Sequence, residues 1–168
     1  MSSNNSDGKN FSDCLDKARN YSEVWQIVQE TVENALGKRR NCMMLFLDDL
    51  PLQLGAYYPV GTNNIVLNRS LVDVVETQFT DKSTVNALVY NLLVHEYLHS
   101  LGDMSEVGVR HDVVVVAQKS FGEHHIATEL ARKSPWVLLK DLSIGLIKSP
   151  KRAIEIVCDF EKTGKYIV

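Results

Sequence analysis

Apolar residues recur at three- and four-residue steps from about residue 11 to about residue 41. The residues of this stripe are Leu15, Ala18, Val24, Ile27, Val28, Val32 and Leu36. Gly37 follows the last of them, and glycine is favoured just after the end of a helix. The spacing therefore predicts one long amphipathic helix. Residues 1–10 are polar and have almost nothing to bury, which predicts a disordered tail.

Three short apolar runs follow, CMMLFL (42–47), LGAYY (54–58) and IVLN (65–68), and the turn-forming segments DDLP and PVGTNN separate them. This alternation predicts a small three-stranded sheet whose strands are joined by hairpin-type turns. Two interpretations of the IVLN run stay open. It is either an edge strand along which an extended peptide could add, or an ordinary hairpin strand.

The second half of the chain is predicted to be helical. The clearest segment covers residues 84–101, is apolar in nearly every direction, and is closed by Gly102. Another helix is expected to start near Asp103 or Ser105 and to run to Lys119, although its VVVV run is β-branched. A last helix is expected over 126–140. The order of helix, sheet and helices indicates an α+β domain over residues 11–140, followed by a C-terminal extension over 141–168.

Composition narrows the class of protein. The 168 residues are 45% hydrophobic and 23% charged, and the net charge is −3. These values fit a single globular domain and give no electrostatic reason to bind nucleic acid. The three cysteines are odd in number and widely spaced, which predicts buried thiols in a reducing compartment. With no signal-peptide pattern and no apolar run of about 18 residues, we expect a cytoplasmic protein without a membrane partner.

Residues 95–99 read HEYLH, an HExxH motif inside the clearest predicted helix. His95 and His99 are one turn apart on one face, so both imidazoles can bind the same tetrahedral ion. Glu96 projects about 100° away from His95, where a carboxylate can accept a proton from a metal-activated water. The alternative is a chance HExxH whose polar groups satisfy one another. We predict a zinc site with Glu96 as the general base, because unpaired buried polar groups are costly.

A catalytic zinc needs a third protein ligand. Ser105 occupies the position where metzincins carry their last histidine, so a metzincin site is not expected. Glu106 lies in the first turn of the next predicted helix, on its apolar face and level with His99. His111 is the alternative ligand, about 140° away from Glu106 on the same helix, so the two should not both face the metal.

The run HEYLHSLGDMSEVGVR resembles the minigluzincins, very small archaeal relatives of the thermolysin-like gluzincins. The matching residues are His95, Glu96, His99, Gly102, Glu106, Val109 and Arg110. The resemblance spans roughly residues 40–120. It implies a helix, a small three-stranded sheet, an HExxH active-site helix and a glutamate helix, with a zinc peptidase activity that is often latent. This chain extends beyond such a core at both ends.

The predicted protein is thus a zinc-dependent peptidase with one zinc per chain and a peptide or protein substrate. Tyr57, Tyr58 and Arg110 are candidates for stabilising the oxyanion, with none preferred. The 141–168 extension is expected to occupy the cleft or to mediate self-association. The alternative function is a non-catalytic zinc-binding interaction module of the same fold.

Overall fold

The structure is a computed structural model and describes residues 8–140 and 151–162. Its helices are α1 (Phe11–Asp16), α2 (Tyr21–Leu36), α3 (Arg69–Gln78), α4 (Lys82–Ser100), α5 (Glu106–Phe121) and α6 (Ile126–Lys133), followed by a 3-10 helix at Pro135–Leu139. Its strands are β1 (Met44–Asp48), β2 (Ala56–Tyr57), β3 (Asn64–Asn68) and β4 (Glu155–Ile156). Within these residues the protein is α+β, with six α-helices and a small four-stranded sheet, which confirms the predicted fold class.

The prediction of one long N-terminal helix is wrong. The chain breaks between α1 and α2, and the Asn20 side chain caps α2 by accepting a hydrogen bond from the Glu23 backbone N–H. Ala18, inside the break, is only 1% exposed. The apolar periodicity therefore continues through a segment that is not helical. Gly37 ends α2 as predicted, in the left-handed conformation with φ of 70°.

The sheet has the strand order β2-β3-β1-β4. β1 and β3 are parallel, with Leu45 opposite Ile65, whereas β2 and β3 are antiparallel. The predicted hairpin between β2 and β3 is therefore confirmed, whereas the predicted hairpin between β1 and β2 is wrong, and so is the interpretation of IVLN as an edge strand. Asn68 explains the connection: its amide donates to the Leu50, Pro51 and Leu54 carbonyls and holds the intervening loop against the end of β3.

Two elements were not predicted. α3 directly follows β3, and the Asn68 side chain caps it by accepting a hydrogen bond from the Leu71 N–H. β4 comes from the C-terminal extension and pairs antiparallel with β1. Within the described residues, β4 therefore forms one edge of the sheet and β2 forms the other.

The helical half follows the prediction closely. α4 starts at Lys82 with Asp81 as its cap, and α5 starts at Glu106 with Ser105 as its cap and includes the VVVV run. α6 ends at Lys133, earlier than predicted, because Ser134 adopts a positive φ of 85°. α4 is buried on nearly every side and packs against α1, α2, α5, α6 and the sheet. It is the central element of the core.

Among the residues that the structure describes, no helix combines the length and the apolar character that a membrane span requires. Cys42 and Cys158 are exposed free thiols, which corrects the expectation that the cysteines are buried. Residues 1–7 of the predicted tail, and residues 141–150 and 163–168 of the C-terminal extension, lie outside the described residues.

Candidate metal centre

Two adjacent helices bring three metal-binding side chains together. His95 and His99 lie one turn apart on α4, and Glu106 lies in the first turn of α5. Gly102, with φ of 109°, lets the chain reverse direction between the two helices. The His95 Nε2 and His99 Nε2 atoms are 3.2 Å apart, and the Glu106 carboxylate oxygens lie 2.9 Å from His99 Nε2 and 3.2 Å from His95 Nε2. These donor atoms all lie within 4.8 Å of one another.

The spacing of the donor atoms suits a zinc ion. Ligand atoms about 2.0 Å from a tetrahedral zinc are separated by about 3.3 Å, close to the distances found here. His99 Nδ1 lies 2.8 Å from the Asp103 carbonyl oxygen. Because a carbonyl oxygen can only accept a hydrogen bond, Nδ1 is the protonated nitrogen. With Nδ1 engaged in this way, the other ring nitrogen, Nε2, is the one that faces the Glu106 carboxylate and is available to a metal ion.

The electrostatics favour a neutral His95. Burial lowers the pKa of His95 below its usual range, and the Glu106 carboxylate opposes that shift only in part. A neutral imidazole offers its lone pair to a metal at neutral pH. The Glu106 side chain is 60% exposed, so solvent and a substrate can approach the centre from its side.

Glu96 lies beside the cluster and is not a member of it. Glu96 is only 9% exposed. Burial raises the pKa of Glu96 to about 7, while the nearby Tyr58 backbone N–H acts in the opposite direction. Tyr58 directly follows β2, so the glutamate lies where α4 meets the edge strand. A Cβ atom built on Gly55 would come within 2.5 Å of Leu92, which indicates how closely α4 packs on the chain entering β2.

No protein-family model, curated protein or solved structure matches this chain. The likeness to the minigluzincins therefore depends on the sequence motif alone.

The other predicted residues lie outside the cluster. The His111 side chain is 75% exposed, and its ring nitrogen lies 3.4 Å from Asp112. The Tyr58 hydroxyl is used structurally, since it donates to the Thr62 carbonyl and accepts from Arg40. Tyr57 is 38% exposed on β2. Arg110 is exposed on α5, and its charge helps to lower the pKa of His95.

Sequence reasoning missed two contributors to the centre. Asp103 acts through its backbone carbonyl, which any residue could supply, so its side chain gave no signal. Tyr97, inside the motif itself, is fully buried and faces away from the ligands. Its hydroxyl accepts a hydrogen bond from the Arg40 N–H at 2.7 Å and donates one to the Arg40 carbonyl at 3.1 Å. The available signal was the tyrosine at one of the two free positions of HExxH, because a buried tyrosine hydroxyl needs a hydrogen-bond partner.

Proposed function

We propose that this protein is a zinc-dependent peptidase in which His95, His99 and Glu106 bind the metal and Glu96 transfers protons. The observation that carries the proposal is the convergence of three donor side chains at 2.9 to 3.2 Å, with the buried carboxylate of Glu96 beside them. In this proposal α4 and α5 form the gluzincin-type pair of an HExxH helix and a glutamate helix.

The ligand set supports zinc over other cations. Two imidazoles and one carboxylate are the ligands of many catalytic zinc sites, whereas calcium and magnesium prefer oxygen ligands only. A zinc ion bound there would supply Lewis acidity, which lowers the pKa of a water molecule to about 7.

Glu96 is suited to move the proton in both directions. Its carboxylate takes a proton from the attacking water as the water oxygen bonds to the scissile carbonyl carbon. The same proton then passes from Glu96 to the leaving amine nitrogen as the carbon–nitrogen bond breaks, so the residue returns to its starting state. In the metal-free protein burial raises the pKa of Glu96 to about 7. A raised carboxyl pKa brings the group closer to the working pH, which suits a residue that must both accept and release a proton.

The surroundings of Glu96 favour a peptide as the substrate. β2 is an edge strand within the described residues and packs against α4, and the Tyr58 N–H just after β2 lies close enough to Glu96 to lower its pKa. An extended peptide can add to such an edge through backbone hydrogen bonds, which would bring its own peptide groups beside the cluster. This role falls to β2 and not to IVLN, which is an internal strand.

The direct test is metal-dependent cleavage. The purified protein is incubated with casein and with a peptide library, and the products are identified by mass spectrometry. We expect cleavage by the zinc-loaded protein, loss of cleavage after removal of the metal with a chelator, and recovery when zinc is added back. A protein that binds one zinc per chain but cleaves nothing would contradict the peptidase proposal and favour a zinc-binding interaction module.

A further inference from the structure

The described part of the C-terminal extension lies behind the HExxH helix. We call residues 151–162 the C-terminal strap. Phe160 of the strap is 4% exposed and stacks on Trp25 of α2, with the ring centroids 4.7 Å apart. Trp25 in turn meets the edge of Tyr97, with centroids 4.9 Å apart. An aromatic row of Phe160, Trp25 and Tyr97 therefore connects the strap to the interior of the HExxH motif.

Tyr97 is well placed to fix the rotation of α4. It lies two residues from each histidine, which puts it about 200° around the helix from both. When Tyr97 is held in place, α4 cannot rotate about its axis. The direction in which His95 and His99 point on the opposite face is then fixed as well. The indole N–H of Trp25 has no hydrogen-bond partner among the residues that the structure describes. Trp25 is thus positioned by ring packing, which makes its contact with Phe160 important.

A polar connection runs parallel to the aromatic row. The Glu161 carboxylate of the strap accepts hydrogen bonds from the Cys42 and Met43 backbone N–H groups, at 2.8 and 2.7 Å. Just before them, Arg40 bonds to the Tyr97 hydroxyl through its backbone and donates from its guanidinium to the Ser100 carbonyl at 2.9 Å. The strap therefore binds residues 40–43, and Arg40 of that segment binds the C-terminal end of α4.

We propose that the C-terminal strap is a positioning element for the metal centre. Phe160, acting through Trp25 and Tyr97, and Glu161, acting through residues 40–43, orient the face of α4 that carries the histidines. The strap lies on the side of α4 opposite the ligands, so it acts from behind the centre and not by covering it. The effect on zinc rests on the proposed function, whereas the effect on the order of α4 does not.

The test compares two full-length variants that each remove a buried side chain. Phe160→Ala breaks the aromatic row, and Leu71→Ala removes a 1% exposed side chain of α3 that is not part of the row. Zinc affinity is measured by competition with a chromophoric chelator, well below both melting temperatures. We expect Phe160→Ala to weaken zinc binding about tenfold, the size of effect seen when a group that orients a ligand is lost. Leu71→Ala should leave the affinity unchanged, even if it lowers the melting temperature as much. Equal weakening in both variants would overturn the proposal.

Hydrogen exchange of the zinc-free proteins decides the proposal independently of zinc. In Phe160→Ala the amides of residues 95–100 should exchange faster relative to those of residues 84–90, while in Leu71→Ala both segments should change together. If the wild type bound no zinc, the proposed function would fail but this comparison would still test the strap. If Phe160→Ala did not fold, Phe160→Leu and Glu161→Gln would replace it. Unchanged exchange over residues 95–100 in both replacements would contradict the positioning role.

Discussion

Two charged clusters in this protein differ in how their partners are arranged. At the end of β1, Asp49 accepts hydrogen bonds from Arg69, Ser70 and Arg152, and its side chain is only 7% exposed. Every acceptor there meets a donor. At the candidate metal centre, the Glu106 carboxylate lies against the rings of His95 and His99, which carry a charge only when protonated. The charge of Asp49 is matched by two arginines, whereas in the proposed function a zinc ion would match the charge of Glu106.

The carboxyl groups near the two clusters shift in opposite directions. Arg152 and Arg69 hold the pKa of Asp49 far below its usual range, although burial acts against them. Burial raises the pKa of Glu96 to about 7. A carboxylate whose charge is matched contributes to stability, and one whose charge is unmatched costs stability and is available for chemistry. The clusters should therefore separate stability from activity when they are mutated.

The largest expected effect concerns activity at Glu96. Glu96→Gln removes the proton acceptor but keeps the shape of the side chain, so kcat/KM for peptide cleavage should fall about 100- to 10,000-fold. The zinc content should stay that of the wild type, because Glu96 is not a ligand in this account. Asp49→Asn is the matched carboxylate-to-amide control and should retain kcat/KM while folded. Comparable losses of kcat/KM in the two variants would show that Glu96 has no special role in cleavage.

The next effect concerns stability at Asp49. Asp49→Asn removes the buried charged partner of Arg69, whose side chain is 11% exposed, and leaves it only the exposed Glu155 carboxylate at 3.4 Å. The free energy of unfolding should fall by about 3 kcal/mol, the usual cost of breaking a buried ion pair. Urea denaturation measures this loss. His99→Ala in the zinc-free protein should cost less, since its partner Glu106 is 60% exposed. A larger loss in His99→Ala than in Asp49→Asn would show that the two clusters do not differ in this way.

The pH dependence should have opposite signs at the two carboxyl groups. The pKa of Asp49 is lower in the folded than in the unfolded state, so its contribution is present above about pH 3.9 and is lost as the pH falls through the folded pKa. The stability gap between the wild type and Asp49→Asn should therefore narrow below about pH 4.

Glu96 behaves in the reverse way in the zinc-free protein. Its folded pKa of about 7 exceeds the unfolded value, so stability is present at low pH and is lost as the pH rises through 7. Glu96→Gln cannot ionise and should be more stable than the wild type at pH 8, on the order of 3 kcal/mol. The advantage should vanish near pH 4. Denaturation in chelator across this range measures it, and an advantage that is constant with pH would point to packing instead.

The smallest effect is expected at His111, which lies on α5 but points away from the centre. His111→Ala should change the free energy of unfolding by less than about 0.5 kcal/mol, as is usual for an exposed side chain. Its cleavage rate should equal that of the wild type. A marked loss of cleavage would mean that the second helix presents a different face to the metal.

The clustering of His95, His99 and Glu106 was predictable because the three residues are close in sequence. The helix spacing fixes His95 relative to His99, and Glu106 follows after a single turn at Gly102. The burial of α4 could also be predicted, since its apolar residues surround the whole helix. That these side chains bind zinc stays a prediction.

The features that were not predicted depend on contacts between distant parts of the chain. The parallel pairing of β1 with β3 follows from the loop that Asn68 holds, and a hairpin pattern carries no sign of it. α3 is short and rich in valine, a weak helix former. The break before α2 was signalled by Asn20 and Glu23, a capping pair that the apolar periodicity concealed. The packing of Phe160 joins opposite ends of the chain, and one sequence does not reveal that contact.

The zinc content of the wild type, Glu106→Ala and His111→Ala proteins, measured by mass spectrometry after equilibration with a limiting zinc buffer, decides whether Glu106 completes a zinc site with His95 and His99. We expect one zinc per chain in the wild type and in His111→Ala, and loss of zinc in Glu106→Ala. Zinc retained in Glu106→Ala and lost in His111→Ala would contradict this expectation.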